Sequence, residues 1–218
     1  MGRTRQTGQN RTNRRPHTVL TVKSGELFAG VGGLTMAVEA EFNTETEWFV
    51  EFDPAPSKVL EYRWPGVPNY GDVTTVDWAA APHVDVMAGG FPCQDVSAAG
   101  RRRGMKDGTR SGLWAEYLKA IDTIRPDWVL IENVRGLYSA PTDRFVEPCP
   151  WCVGDGPDQY ALRALDAVLG DLSDIGFDAE WTGLRAADVG APHGRFRVFI
   201  LAWPGERTPP GTVEDSGR

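Results

Sequence analysis

The sequence predicts a Rossmann-like α/β fold, with a mainly parallel sheet and helices on both of its faces. Three observations predict this fold. Strand-like and helix-like segments alternate along the chain, which is typical of parallel sheets built from crossover connections. A glycine-rich turn follows the first strand-like segment. A chain of 218 residues, 41% hydrophobic and 24% charged, is long enough for one such domain with a substantial core.

The first half of the chain contains three predicted strands and two predicted helices. The first strand is the β-rich segment Thr18–Leu27, and a helix over Leu34–Ala40 follows its glycine turn. A short apolar strand, Trp48–Glu51, precedes a helix over Pro54–Tyr62, where proline suits the first helical turn. The segment Val84–Ala88 is predicted as the third strand.

The second half continues the alternation. Apolar residues recur at helical spacing over Leu113–Ile124, and Trp128–Ile131 is a short apolar strand. The segment Tyr160–Ile175 is predicted as one amphipathic helix. Glu180–Leu184 and Arg197–Ala202 are predicted as the last two strands.

Two long loops interrupt the pattern, and loops of this length in compact folds are usually functional or disordered. One is the Gly/Arg-rich segment Ser97–Ser111, and the other is Tyr138–Gln159. The second loop contains Cys149 and Cys152, which are half of a zinc site that needs four ligands. With Cys93 as the third cysteine, the sequence predicts neither a disulfide framework nor a bound metal.

The charge is unevenly distributed along the chain. Met1–Lys23 carries six basic residues and no acid, which leaves 17 basic and 30 acidic residues, a net charge of −13, for the remainder. We expect a basic disordered arm (1–17), one catalytic domain (18–203) and a flexible tail (204–218). The arm can add nonspecific phosphate affinity or be a solvated tail with no partner. Without a signal peptide or membrane span in the sequence, a cytoplasmic protein is expected.

Polar groups around the glycine turn indicate a nucleoside cofactor. In the turn Gly30-Val31-Gly32-Gly33 the backbone can approach a ligand closely, although such turns often serve only to reverse the chain. Glu51 ends the next strand, as does the acid that binds a ribose hydroxyl pair in nucleotide folds, and Asp72 could accept from an adenine amino group. The glycine spacing differs from G-x-G-x-x-G, which argues against a dinucleotide.

A thiol and a carboxyl follow two predicted neighbouring strands. Cys93 lies in Phe91-Pro92-Cys93-Gln94, just after the third strand, and Glu132 follows Trp128–Ile131. A lone cysteine is most often a small buried apolar residue, and a lone acid after a strand is often a solvated cap. Because strand ends meet at one edge, the pair predicts a nucleophile and a carboxyl flanking the cofactor cleft.

Four motifs, in this order, closely resemble those of the cytosine-C5 DNA methyltransferases. The resemblance covers residues 24–202, most of the chain. It implies the S-adenosylmethionine-dependent methyltransferase form of the fold, with double-stranded DNA as partner. The motifs are Glu26-Leu27-Phe28-Ala29-Gly30-Val31-Gly32-Gly33, Gly90-Phe91-Pro92-Cys93-Gln94, Glu132-Asn133-Val134-Arg135-Gly136-Leu137 and Gly190-Ala191-Pro192-His193-Gly194-Arg195-Phe196-Arg197-Val198-Phe199.

The resemblance implies a covalent mechanism. Cys93 would attack C6 of a flipped-out cytosine, and Glu132 would hold a proton against N3 and the 4-amino group. Arg195 and Arg197 would hold the base and nearby backbone, and Ser97–Ser111 would close over the base. The residues implied for S-adenosylmethionine are Phe28, Gly30, Gly32, Gly33, Glu51, Phe52, Asp72, Val73 and Pro92.

The sequence also departs from the family pattern. His193 stands where Gln is usual, and Phe196 where Glu is usual. No target-recognition region or Gly-Asn motif follows Trp203. Three explanations remain open: a second polypeptide that supplies them, a minimal stand-alone enzyme, or an inactive remnant. Besides DNA methylation, methylation of tRNA cytosine and a noncatalytic cofactor- or DNA-binding subunit stay open.

Overall fold

The computed structural model describes residues 21–92, 113–146 and 160–205, and in this part the chain folds as the predicted α/β architecture. The predicted arm (1–17), Cys93, the Ser97–Ser111 loop, Cys149, Cys152 and the tail beyond residue 205 lie outside these ranges. The helices are α1 (Gly33–Phe42), α2 (Pro54–Arg63), α3 (Leu113–Ile124) and α4 (Ala164–Asp174). The strands are β1 (Val22–Leu27), β2 (Thr44–Val50), β3 (Val86–Gly89), β4 (Trp128–Val134), β5 (Pro141–Val146), β6 (Tyr160–Arg163), β7 (Phe177–Arg185) and β8 (Phe196–Pro204).

Six strands form one sheet in the order β2-β1-β3-β4-β8-β7. The pairs β1–β2, β1–β3 and β3–β4 are parallel, whereas β8 is antiparallel to both β4 and β7. The prediction of a mainly parallel sheet is therefore confirmed. Because β8 reverses direction between them, β7 runs parallel to β4 and ends at the same edge. The strands β5 and β6 form a separate antiparallel pair.

Helices cover both faces of the sheet, as predicted. On one face Glu26 of β1 contacts Thr35 of α1, and Phe49 of β2 packs with Leu60 of α2. The opposite face packs against α3 and α4, whose buried apolar residues join those of the strands in the main core. Members of this core are Leu27, Met87, Val129, Ile131, Ile121, Val168, Leu172, Val198 and Ile200.

A group of aromatic rings fills the core beside β1 and β2. Trp48 is fully buried, and its ring lies 6.2 Å from that of Tyr70 and 5.6 Å from that of Trp78, centroid to centroid. The register of β1 with β2 shifts between Ser24 and Gly25, so that Gly25 pairs with Trp48. A Cβ on Gly25 would overlap the Trp48 ring. The strand therefore needs glycine at this position to let the indole pack against its backbone.

Several predicted boundaries were wrong. The prediction of one helix over Tyr160–Ile175 fails at its start, because Tyr160–Arg163 is strand β6 and the helix begins at Ala164. The Asp166 carboxylate accepts from the Arg163 backbone N–H at 3.0 Å and fixes this boundary. The pairing partner β5 was not predicted from the sequence. The strand β1 begins only at Val22, and β3 extends from Val86 to Gly89.

Across residues 21–92, 113–146 and 160–205, the helices are too short or too polar to cross a membrane.

Two glycine substitutions test the packing around Trp48. We expect Gly25→Ala to lower the free energy of unfolding by about 1–3 kcal/mol, because the added methyl group must displace the indole. Gly170 on α4 has open space around its Cβ position, so Gly170→Ala should raise the free energy of unfolding by about 0.5–1 kcal/mol. Urea denaturation of both variants measures these changes. Equal effects of the two substitutions would contradict the packing described for Gly25.

Candidate active site

The carboxyl ends of β1, β2, β3 and β4 meet at one edge of the sheet, where ligands bind in open α/β folds. A cleft of about 670 Å³ lies at this edge. Of the residues implied for the cofactor, the cleft brings together Phe28, Glu51, Phe52, Asp72, Val73 and Pro92. Asp53, Thr74, Gly90 and Leu113 also line it.

Glu51 organises one wall of the cleft. Its Oε2 accepts from the Gly30 backbone N–H at 2.7 Å, and its Oε1 accepts from the Asp53 N–H at 2.7 Å. Asn69 holds the backbone of Glu51 from the other side, through bonds to both its N–H and its carbonyl oxygen. The carboxylate is thus fixed between the glycine turn and the start of α2, with lone pairs left for a ligand hydroxyl.

The glycine turn has two different tasks. Gly30 and Gly32 have positive φ angles of 54° and 79°, a conformation that glycine adopts without strain. A Cβ on Gly32 would overlap the Trp64 ring, whereas Gly33 begins α1 with open space around it. None of the three is among the residues that line the cleft. Gly32 thus serves the packing of the turn against α2, while Gly30 ties it to Glu51.

Asp72 and Phe52 border the outer part of the cleft. The Asp72 Oδ1 accepts from the Thr74 N–H at 2.9 Å and from the Thr74 hydroxyl at 2.8 Å, and these bonds hold the pKa of Asp72 below its ordinary value. Val73 is buried against the core. The Phe52 side chain is 76% exposed, which gives the cleft a flat apolar wall open to a ligand.

Glu132 lies beside the cleft at the end of β4. A Cβ on Gly90 would lie 3.1 Å from the Glu132 Oε2, so the backbone of Gly90 separates the carboxylate from the cleft. The Arg197 Nε forms an ion pair with the Glu132 Oε1 without the alignment of a hydrogen bond, and its Nη1 donates to the Phe196 carbonyl at 2.9 Å. Arg195, by contrast, is exposed.

The segment that leads to Cys93 is tied to β4. Asn133 is buried, and its Nδ2 donates to the Phe91 carbonyl oxygen at 3.3 Å. The Phe91 ring is also buried, 5.2 Å from the ring of Trp114. Pro92 is therefore held at the cleft, and Cys93 is the next residue in the chain.

Sequence reasoning missed the role of Glu26, a buried carboxyl directly before the glycine turn. Its Oε2 accepts from both the backbone N–H and the hydroxyl of Thr35, in the first turn of α1. Burial raises the pKa of Glu26 from its ordinary 4.5 to about 7; the bonds from Thr35 oppose the shift, and Glu51 and Glu39 add to it. An acid in the buried second half of β1, next to Leu27, was the signal that could have revealed it.

Charge divides the described part of this edge into two halves. Around the cleft the groups are acidic, and beyond Glu132 they are basic. The division suits a cationic ligand in the cleft and an anionic one beside it. The acidic half contains Glu26, Glu51, Asp53 and Asp72, and the basic half contains Arg135, Arg185, Arg195 and Arg197.

No cluster of three or more His, Cys, Asp or Glu side chains that could hold a metal ion occurs in the part of the chain that the structure describes.

Comparison with known proteins gives a consistent set of relatives. The sequence model of the family described as C-5 cytosine-specific DNA methylase matches residues 22–214. Type II methyltransferase M2.BsuMI of Bacillus subtilis (strain 168) is 33% identical over 190 residues, which are 83% of this chain and 42% of that protein. Type II methyltransferase M.NlaIV of Neisseria lactamica is 30% identical over 184 residues, 82% of this chain and 40% of that protein. The chain thus spans about two fifths of the length of these relatives.

Solved structures agree on the fold. The Dnmt2 methyltransferase of S. pombe superimposes with a TM-score of 0.63 at 18% identity, covering 86% of this chain and 52% of that one. A mutant of Spodoptera frugiperda DNMT2 gives a TM-score of 0.64 at 19% identity, covering 89% and 54% of the two chains.

The buried carboxyl of Glu26 predicts a pH-dependent stability. The folded protein binds this proton more tightly than the unfolded chain, so its contribution is complete below pH 4.5 and is lost as the pH rises through about 7. We expect the stability of Glu26→Gln relative to the unaltered protein to increase by about 2–3 kcal/mol between pH 5 and pH 8. Chemical denaturation at both pH values measures this difference.

Glu41 is exposed on α1 and provides the matched control. The relative stability of Glu41→Gln should stay constant over the same pH range. A parallel change in both variants would mean that Glu26 is not the source of the effect.

Proposed function

The chain belongs to the C-5 cytosine-specific DNA methylase family, and from this premise we propose that it transfers a methyl group from S-adenosylmethionine to C5 of a cytosine in double-stranded DNA. One observation carries the proposal. Gly90 lines the cofactor-sized cleft and also borders the Glu132 carboxylate. A methyl donor in the cleft and a base held by Glu132 would therefore be immediate neighbours.

The residues of the cleft fit S-adenosylmethionine. Its volume of about 670 Å³ lies within the range usual for sites of small ligands. Glu51 would accept hydrogen bonds from the ribose hydroxyls, Asp72 and the Val73 backbone would meet the adenine edge, and Phe52 would lie against the adenine ring. When bound, S-adenosylmethionine supplies a methyl group attached to a positively charged sulfur, which the acidic half of the edge favours.

Cys93 and Glu132 would carry the chemistry on the base. The Cys93 thiolate adds to C6 of the cytosine, which ends the aromaticity of the ring and makes C5 nucleophilic. Glu132 holds a proton against N3 and the 4-amino group, so the electron pair pushed into the ring is stabilised. C5 then accepts the methyl group, its proton leaves to water, and the Cys93 sulfur is eliminated.

Arg197 would act as the positioning residue of this site. Its guanidinium pairs with the partly exposed Glu132 carboxylate and would fix the position of that side chain beside Gly90. Arg195 is exposed at the start of β8 and would hold the DNA backbone beside the flipped base. We also propose that target recognition comes from residues outside this catalytic unit, supplied by a second polypeptide or a longer protein.

Substitution of Glu51 tests the assignment of the cleft. We expect Glu51→Gln to weaken binding of S-adenosylmethionine by about 10- to 100-fold, because a charged acceptor for the ribose hydroxyls is lost. Isothermal titration calorimetry measures the dissociation constant. Glu61 is exposed on α2, away from the residues that line the cleft, and Glu61→Gln should bind as the unaltered protein does. Equal affinities of the two variants would contradict the assignment.

A mechanism-based trap tests the proposed reaction. Duplex DNA with 5-fluorocytosine has no proton to lose from C5, so elimination is blocked and the adduct with Cys93 should persist. We expect a denaturant-stable complex whose mass equals protein plus methylated DNA, formed only with S-adenosylmethionine. Cys93→Ser should form none, and Glu132→Gln should form it at least 100-fold more slowly.

Two further conditions separate the alternatives. A 5-fluorocytosine tRNA in place of DNA tests methylation of RNA, and addition of a candidate second subunit tests partner dependence. A covalent complex with tRNA but not with DNA would contradict the proposal that DNA is the substrate. Binding of S-adenosylmethionine with no complex on any nucleic acid, with or without the subunit, would favour a noncatalytic cofactor-binding protein.

A further inference from the structure

Arg135 occupies a defined position on the basic half of the active edge. It follows β4 directly, and its guanidinium carbon lies 5.7 Å from the centre of the Phe196 ring. The side chain is nevertheless exposed, so one face of the guanidinium packs on the ring and its N–H groups remain open to solvent. The Phe196 ring thus limits the orientations of the Arg135 side chain but does not neutralise its positive charge.

Arg185 is the cross-strand neighbour of the same phenylalanine. It ends β7, pairs with Phe196 in the sheet register, and is exposed. The nearby carboxylate of Asp188 is engaged by the Arg185 backbone N–H at 2.9 Å. Two cationic residues therefore neighbour Phe196, one directly after β4 and one at the end of β7.

Phe196 is firmly held. Its ring covers Gly183 of β7, where a Cβ would overlap it, and the Tyr138 ring meets it edge to face at 6.3 Å between centroids. Phe196 carries no charge that could neutralise Arg135. The ring therefore acts as a rigid, uncharged base for the neighbouring guanidinium.

Arg135 and Arg185 form no ion pair with any carboxylate among residues 21–92, 113–146 and 160–205. Among the described cations, Lys23 at the opposite edge pairs with Glu45 and Glu47 and Arg197 pairs with Glu132, whereas Lys58, Arg63, Arg163 and Arg195 form no ion pair within the described residues. Such pairing is expected in a chain with a net charge of −7. Two exposed guanidinium groups without an acidic partner, beside Glu132, remain available for an external anion.

We propose that Arg135 and Arg185 bind DNA phosphates beside Phe196, next to the nucleotide that enters the active site. Guanidinium groups match phosphate oxygens in charge and in hydrogen-bond geometry. The inference rests on the proposed function, since it takes duplex DNA as the substrate held beside Glu132. Arg135 lies within the third family-like motif and Arg185 lies outside all four, and neither residue was assigned to catalysis or to cofactor binding.

The salt dependence of DNA binding tests this inference. Each phosphate contact adds about 0.9 to the slope of log affinity against log salt concentration on duplex DNA. We expect Arg135→Ala and Arg185→Ala each to reduce the slope of the full chain by about one, and the double variant by about two. Fluorescence anisotropy with a labelled duplex at several NaCl concentrations gives the slopes. Arg135→Lys keeps the charge and should retain the original slope.

Arg125 provides a matched control at the opposite edge of the sheet. Its guanidinium carbon lies 4.8 Å from the centre of the Phe177 ring, the same kind of contact as that of Arg135 with Phe196. Phe177 begins β7 and Arg185 ends it, so the two edges are roughly 25 Å apart at about 3.3 Å per strand residue. Arg125→Ala removes one positive charge and one ring contact, together with the ion pair to Asp122 and a bond to the Ile175 carbonyl oxygen, but should leave the salt slope unchanged.

The outcomes are distinct. Unchanged slopes for Arg135→Ala and Arg185→Ala, with salt-dependent binding intact, overturn this inference and leave the proposed function standing. An equal reduction of the salt slope in Arg125→Ala also overturns the inference, because the loss of any surface charge would then produce the effect. If the unaltered chain binds no duplex even at low salt, with or without the candidate second subunit, the proposed function fails and the inference with it. A reduced slope on structured RNA but not on duplex DNA would overturn DNA as the partner.

Discussion

The parallel pairing of β3 with β4 is the constraint on which the rest of the site depends. Its register places Gly89 opposite Ile131, so the next residue of each, Gly90 after β3 and Glu132 within β4, meet at the edge of the sheet. Asn133 then ties the Phe91 carbonyl oxygen to β4. With one residue of slippage, the Glu132 carboxylate would point to the other face of the sheet and away from Gly90.

The same edge separates opposite charges over a short distance. Carboxylates surround the cleft, fixed by backbone N–H groups as Glu51 is by Gly30 and Asp53. Guanidinium groups follow β4 and flank the antiparallel strand β8. A chain with a net charge of −7 can therefore present a positive surface to a polyanion, because its acidic groups are concentrated elsewhere. Net charge alone is a poor guide to the partner of such a protein.

Glu26 stabilises the loop between β1 and α1 from the interior of the protein. Its carboxyl joins the end of β1 to the first turn of α1 through Thr35, and the turn Phe28–Gly32 spans the space between them. Burial of an ionisable group is unfavourable, which the raised pKa of Glu26 reflects. The unpartnered hydroxyl of Tyr117, fully buried, adds a second polar group below the same loop. The bonds from Thr35 to Glu26 tie the loop to α1, whereas the Tyr117 hydroxyl has no partner among the described residues and is unfavourable to bury.

Local signals in the sequence determined the order of the elements and the motif residues. Alternating apolar segments predicted the sheet and all four helices, with α3 correct to the residue, because apolar periodicity and turn residues act over short distances. The same reasoning missed β6, which exists only through its pairing with β5. It also missed the roles of Glu26 and Asn133 and the cation–ring contact of Arg135, while its assignment of Gly32 to the cofactor stays a prediction. Only the tertiary structure decided these points, because each depends on residues far apart in the chain that strand pairing and helix packing bring together.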